Sequence, residues 1–385
     1  MGGAELIGKE EQEAVSEVIG RGVLFRYGFN EKRKNVFVVQ DFESRFCKYM
    51  GCSHALGVSS GSAALRVALA ALNIRPGDEV ITQSFTFVAT IEAILESGGV
   101  PIITEVDKSL NMDPKDLEAK ITGKTKAIIP VHMLGVPARM DEIMGAAKRK
   151  NIPVLEDSCQ ACGSSYRGKK TGTMGAMGTY SFDYVKTLTT GEGGMVSTND
   201  KRLYELACDY HDHGHEHNPE VPRGEDSHKI TGFNFRMNEI QGAIGLVQLG
   251  RLDFVLAEHR RHKGEIKSAI AKIPGIEFRD LPDPAGDGGD TLAFFLPDAK
   301  TAKAFNDCLA RQKVDTKILP SAMNWHFAGN WGHMMKEIPP HRTDAWPESE
   351  KLLKRAIALP ISVRMSDEQK SRVIEAVQKA AKEVL

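Results

Sequence analysis

Ser181–Gly194 reads SFDYVKTLTTGEGG. It holds one lysine, Lys186, with apolar and β-branched residues before it and a glycine-rich turn after it. A solvated surface lysine needs no such setting. A lysine that forms a Schiff base with a carbonyl does, because burial lowers its pKa and makes it nucleophilic. The turn can also bring backbone close to a ligand. Taken alone, the segment reads equally as a solvated lysine beside a turn.

Outward from the lysine the pattern repeats. MGTYSFD and GGMVSTND flank it as two strands. Upstream, short apolar runs alternate with helical patterns. HALGVSSGSAALRVALAAL predicts strand, turn and helix. GDEVITQS is a strand before the helix FTFVATIEAILESG, and PIITEV is another strand. TKAIIPVHM precedes the helix MDEIMGAAKRKN, and IPVLEDS follows as a strand. This alternation predicts an α/β fold with a large, mainly parallel sheet covered by helices on both faces. A long helical pattern begins at MNEIQGAIGLVQL. After it come the strands GIEFRDLP and TLAFFLP and the helices AKTAKAFNDCLARQ and DEQKSRVIEAVQKAAKEV. The chain of 385 residues therefore divides into a large domain over 1–250 and a smaller C-terminal α+β domain over 251–385.

Three further segments carry chemistry. In GVSSGSAAL, Ser59, Ser60, Gly61 and Ser62 stand between strand and helix, where free N–H groups and the helix dipole favour an anion such as phosphate. A serine N-cap without a ligand has the same signature. In VLEDSCQACG, Asp157 ends an apolar strand, where α/β sheets place ligands. It can pair with a protonated ring nitrogen, and Gln160 can reach a neighbouring hydroxyl; capping a turn is the other reading of Asp157. In SFTFVAT, Phe87 offers a flat apolar face or plain core packing. Lysine, ring acid, phosphate pocket and flat face together suit pyridoxal 5′-phosphate (PLP).

In order along the chain, SSGSAAL, SFTFVAT, LEDSCQACGSSYRGKKTGTMG, YSFDYVKTLTTGEGGMV and GFNFRMNEIQGAIGLVQL resemble the DegT/DnrJ/EryC1/StrS family of PLP-dependent sugar aminotransferases. The resemblance covers nearly the whole chain. It implies the aspartate-aminotransferase type of fold, fold type I, and a homodimer with shared active sites. It implies that Lys186 carries the cofactor's aldehyde, Asp157 its ring nitrogen and Gln160 its ring hydroxyl. Ser60, Gly61, Ser62 and Ser181 hold the phosphate, and Phe87 lies on the ring. Asn234 reaches the phosphate of the partner subunit. Two departures are visible: Ser62 stands where threonine is usual, and Asp183 where histidine is frequent. The dehydrating branch of the family replaces the lysine with histidine, so Lys186 argues for amination.

The stretches FRYGF, SFDYVKT, HDHGHEH and MNWHF further resemble the branch that makes an 8-amino derivative of the lipopolysaccharide sugar acid Kdo. For that substrate Arg26 is the expected cation for the carboxylate, since arginine binds carboxylates in bidentate fashion; an ordinary ion pair is the alternative. Tyr27 beside it, His213 from the loop and His326 from MNWHF are the other expected substrate contacts. Glutamate is the expected amino donor. Dehydration or epimerisation by the same cofactor, and a regulatory protein that binds without turnover, are the rival readings.

With 50 basic and 51 acidic residues, the composition offers nothing for a nucleic-acid or membrane-surface partner. The first residues read as an acidic amphipathic helix, not a signal peptide, and no membrane span is expected. The cytoplasm is the expected location. Cys159 and Cys162 form a C-x-x-C, but without a second such pair they read as small buried thiols and no metal is expected. The alternating histidines His211, His213, His215 and His217 raise a metal question that a loop near the active site answers equally well.

Overall fold

The computed structural model describes residues 2–335 and 346–385. Helices α1 (Lys9–Arg21) and α2 (Val38–Met50) come first. Strands β1 (His54–Val58), β2 (Glu79–Gln83), β3 (Val100–Thr104) and β4 (Thr125–Ile129) follow, each trailed by a helix: α3 (Gly61–Ala71), α4 (Ala89–Glu96), α5 (Pro114–Lys120) and α6 (Met140–Lys150). Then come β5 (Leu155–Asp157), a hairpin of β6 (Ser165–Tyr166) and β7 (Lys169–Lys170), β8 (Met177–Ser181), β9 (Gly194–Thr198) and α7 (Lys201–His211).

Strand β2 pairs in parallel with β3 and β4. The parallel bridges Ile128–Val154 and Val131–Asp157 bring in β5. Strand β5 runs parallel to β8, and β9 lies antiparallel between β8 and β1. The resulting order is β3-β2-β4-β5-β8-β9-β1, in which β9 opposes the other six. Successive side chains face opposite layers. Val80, Ala127 and Ile129 pack with Leu65 and Leu69 of α3. Ile81 and Ile128 pack with Met140 and Ile143 of α6. Burial on both faces is why these strands read as continuous apolar runs.

Helix α8 (Glu239–Ile270) starts at Asn238, whose side chain and that of Gln241 form a reciprocal capping box. It contains an 18-residue window of mean hydropathy 1.3, apolar and long enough to cross a membrane. That departs from the sequence expectation, and packing explains the composition. The helix lies against α1 and α2, and buries Gly242, Ala243, Gly245, Leu249, Leu252 and Leu256. The division expected at residue 250 falls inside this one helix.

Beyond it, β10 (Glu277–Phe278), β11 (Thr291–Phe295) and β12 (Ala356–Pro360) make an antiparallel sheet. It is covered by α9 (Ala299–Arg311) and α12 (Asp367–Val384), which share a core with Phe294, Ile357 and Leu359. Two short helices, α10 (Gly332–Met335) and α11 (Pro347–Lys354), lie between. Strand β12 and α11 were not among the sequence expectations, because the apolar strand follows the helix with no turn residue between them. Phe295, Leu319, Phe327 and Ala358 join Phe85, Val88 and Val131 in one apolar cluster, so this unit packs directly on the large sheet.

Two glycines set the distance between layers at the C-terminal edge of the sheet. A Cβ on Gly194 would lie 2.3 Å from the Ser60 carbonyl oxygen, and one on Gly61 2.7 Å from Ser181 Cβ. The start of α3 is thereby pressed onto the ends of β8 and β9. Gly194→Ala should force these apart and cost about 1–3 kcal/mol, the usual penalty for overpacking. A urea unfolding midpoint unchanged from wild type would contradict this.

Candidate active site

A cavity of about 640 Å³ opens at that edge. Its wall includes Ser60, Gly61, Ser62, Phe87, Asp157, Gln160, Ser181, Lys186 and His326. Residues that stood more than a hundred positions apart are thus together.

Asp157 ends β5 and is buried. Its Oδ2 accepts from Thr90 Oγ1 at 2.9 Å and its Oδ1 from the Cys159 N–H at 3.1 Å. Two donors fix the carboxylate, and its remaining lone pairs can accept from a ring N–H. Thr90 in turn meets Thr86 Oγ1 at 2.8 Å, so the first turn of α4 supports the acid. Gln160 Oε1 accepts from the Leu134 N–H at 3.1 Å. Since its oxygen is engaged, the group Gln160 offers the cavity is its NH₂ donor.

At α3, Ser60 is the N-cap, its Oγ accepting from the Ala63 N–H at 3.0 Å. The N–H groups of Gly61 and Ser62 belong to the helix's first turn, which has no intrahelical acceptors for them. Ser62 keeps its hydroxyl exposed, and Ser181 Oγ accepts from the Asp183 N–H at 3.4 Å. An anion placed here meets N–H groups, hydroxyls and the positive helix end.

Lys186 stands in a loop closed by Phe182, whose N–H donates to Gly193 O and whose carbonyl accepts from Thr190 N–H. The Lys186 N–H donates to Asp183 O at 3.0 Å, and its own carbonyl accepts from the Gly3 N–H at 3.1 Å. The N-terminal segment thus lies on the lysine loop, and Gly2 reaches the cavity wall. The family resemblance implies that the N-terminal region borders the pocket, and its first residues make the contact with the lysine loop.

Phe87 is 42% exposed and lines the cavity, its ring centroid 5.3 Å from that of His326. Burial pushes His326 down to about 4, with Lys186 adding to the effect. Its neutral ring donates from Nδ1 to Ala322 O at 2.9 Å, which leaves Nε2 as an acceptor. The Thr86 and Val88 N–H groups hold this segment through the carbonyls of His326 and Trp325. Lys317, with Nζ 2.5 Å from Asp290 Oδ2, also lines the cavity. Neither it nor Thr90 was singled out in the sequence.

Four expected residues stand elsewhere. Arg26 is 4% exposed, its Nη2 donating to Glu43 Oε1 at 2.6 Å and its Nη1 to Gly57 O. Its charge is spent on a buried carboxylate, and it lies on a separate cavity beside α2 and α7. That removes it as the cation for this cavity. Tyr27 goes with it: its OH lies 3.0 Å from Nε2 of the buried His211, which donates from Nδ1 to Cys208 O. Burial, then Arg26, push His211 well below its usual range, so the neutral ring accepts from the tyrosine. His213 is exposed in the following turn at φ +59°, outside the cavity. His215 pairs with Asp226 and His217 with Asp212. Asn234 is exposed, bridged through its backbone to Asp212 and away from this chain's own cavity wall.

The residues present fit PLP. The wall offers an amine, together with a carboxylate, an amide donor and a helix N-terminus that are each held by hydrogen bonds. Sheet order and site together define a fold-type-I PLP enzyme. The family model described as the DegT/DnrJ/EryC1/StrS aminotransferase family matches residues 5–378, and the chain belongs to that family of PLP-dependent sugar aminotransferases. It is 33% identical over 386 residues to dTDP-3-amino-3,6-dideoxy-alpha-D-galactopyranose transaminase of Aneurinibacillus thermoaerophilus, covering 96% of this chain and 95% of the other. It is 42% identical over 238 residues to GDP-perosamine synthase of Caulobacter vibrioides, where the match spans 62% of each chain. Among solved structures, an aminotransferase from Psychrobacter cryohalolentis superposes with a TM-score of 0.87 at 26% identity, covering 98% of both chains.

Acid should destabilise the fold. His326 and the fully buried His259 are both depressed to about 4 by burial. Unfolding restores them to about 6.5, so the unfolded chain binds more protons in that window. Their contribution is present above about pH 6.5 and is lost as pH falls through 4. Thermal midpoints should drop across that range, and His259→Leu should flatten the drop. An equally steep drop in the variant would refute the assignment.

Proposed function

We propose that this chain moves an amino group from glutamate to the aldehyde of an eight-carbon sugar acid. The acceptor is the 8-oxo form of Kdo, and the product 8-amino-3,8-dideoxy-manno-octulosonate. The observation that carries the aminotransferase reading is the meeting of Lys186, the Thr90-held Asp157 and the oriented Gln160 in one cavity. The stretches FRYGF, SFDYVKT, HDHGHEH and MNWHF support the sugar acid. The names of the two relatives favour a second reading, a nucleotide-linked keto hexose.

When bound, PLP supplies an aldehyde and an electron-withdrawing ring. The geometry of the cavity supports the following roles for the chain's residues. Lys186 Nζ holds the aldehyde and, when free, is the base that takes the donor's Cα proton. Asp157 keeps the ring nitrogen protonated, because Thr90 and Cys159 fix its carboxylate. Gln160 donates to the ring hydroxyl, and Gly61, Ser62 and Ser181 receive the phosphate. Phe87 covers the ring, and His326 Nε2 accepts from a substrate hydroxyl. Asn234, exposed on this chain, serves the partner's phosphate in a homodimer in the cytoplasm.

Borohydride treatment of the loaded protein should leave the cofactor's mass on Lys186, and Lys186→Ala should lose turnover yet still bind the cofactor. Mass on any other lysine would sink the role given to Lys186. Glutamate alone should shift the cofactor's visible absorbance. Turnover of the 8-oxo sugar acid against a panel of nucleotide-linked 3- and 4-keto hexoses then decides the acceptor. Preference for a nucleotide sugar would remove the octulosonate reading and leave the aminotransferase one.

The shared site has its own test. Lys186→Ala and Asn234→Ala chains, mixed and reassembled, should recover part of the activity that each lacks alone. A fully active monomer in sedimentation would contradict the arrangement.

A further inference from the structure

The acceptor proposed above and the donor glutamate both carry a carboxylate, and the cavity must hold it. Its wall is poorly disposed to do so. The lining carboxylates are Asp157, Asp183, Glu192, Asp290 and Asp315, against the cations Lys186 and Lys317 among the described residues. The amine of Lys186 is committed to the aldehyde. His326 is neutral, and Arg26 is buried on Glu43.

We infer that Lys317 is the carboxylate anchor of this cavity, held in place by Asp290 and taking an acidic substrate on its remaining N–H donors. An ammonium has three donors, and Asp290 Oδ2 occupies one. Both ends of the residue are fixed. The Lys317 N–H donates to Ala358 O on β12 at 2.8 Å, while Asp290 is pinned by Thr291 Oγ1 on Oδ1 at 3.1 Å and by the Ile361 N–H on its carbonyl at 3.0 Å. Gly135 closes over Asp290, since a Cβ there would stand 2.7 Å from Oδ1. Burial alone would raise the Asp290 carboxyl, but Lys317, His259 and Lys263 bring it down to about 2. The aspartate is therefore ionised at neutral pH and holds the lysine side chain in position. The Lys317 side chain is 32% exposed, against 15% for Asp290, so the ammonium is the member of the pair that faces the ligand. A cation already oriented loses less freedom when it binds.

This inference rests on the aminotransferase reading, and its test separates the two. Cofactor-loaded wild type, Lys317→Gln and Lys317→Arg are compared in three ways: the glutamate half-reaction followed by absorbance, acceptor turnover with the 8-oxo sugar acid and its carboxamide, and calorimetric binding of unreactive glutarate. Lys317→Gln should weaken carboxylate ligands by about tenfold or more, as expected for loss of a charge-assisted hydrogen bond. That change should appear in KM or Kd, with kcat nearly kept, the carboxamide unaffected and Lys317→Arg retaining most of the affinity. Weakening confined to glutamate and glutarate would make the donor the ligand anchored; weakening confined to the sugar acid would make it the acceptor. Equal loss for acid and carboxamide, or no loss for any carboxylate, would overturn the inference. If wild type rejects the sugar acid, the octulosonate reading fails, while glutamate and glutarate still judge Lys317.

Discussion

The contact between the start of α3 and the ends of β8 and β9 governs the rest of the site. With no side chain at Gly61 or Gly194, the helix N-terminus sits against Ser181 and the start of β9. That closeness brings a positive helix end, two serine hydroxyls and the lysine loop to one edge of the sheet. Since β9 opposes its neighbours, the chain turns back directly after β8, and the turn between them carries Lys186. The connection from 182 to 193 therefore leaves and re-enters at one edge of the sheet, whereas a parallel neighbour would require the chain to cross to the opposite edge first. Antiparallel pairing at one place in an otherwise parallel sheet is thus what puts Lys186 on the same cavity wall as the start of α3.

The C-terminal unit completes the cavity. Thr86 and Val88 hold the segment around Trp325 and His326 by backbone hydrogen bonds, and Phe327, Leu319 and Ala358 extend the apolar cluster of Phe85 and Val131. The hydrogen-bonded residues lie more than two hundred positions apart. These contacts place His326 beside Phe87 and bring Lys317 to the cavity wall.

What could be read from the sequence follows from this architecture. Lys186, Asp157, Gln160 and the Ser60–Ser62 turn lie at strand ends, and each announces itself by an apolar run that stops at a polar residue. Their placement on a common wall needed only the rule that ligands gather at the carboxyl ends of α/β strands. Thr90 was illegible because a threonine on the first turn of a helix has no mark of its own until Asp157 is opposite it. Lys317 and Asp290 acquire meaning only once β11 and β12 are docked, and β12 itself was not anticipated. Arg26 was misjudged for the same reason: its partner Glu43 lies 17 residues on, and the pairing depends on how α2 packs over β1. The apolar length of α8 likewise records the three helices packed on it.

The N-terminal segment also bears on the lysine loop. Gly2 lines the cavity, and a Cβ there would fall 2.5 Å from Thr187 Cα, so backbone lies flat on the loop that carries Lys186. Glu5 extends the seam by accepting from Ser362 Oγ and the Arg364 N–H. Any side chain placed at Gly2 would have to push the lysine loop aside, so a residue at the far end of the chain from the sheet's last strands has a hold on where Lys186 stands.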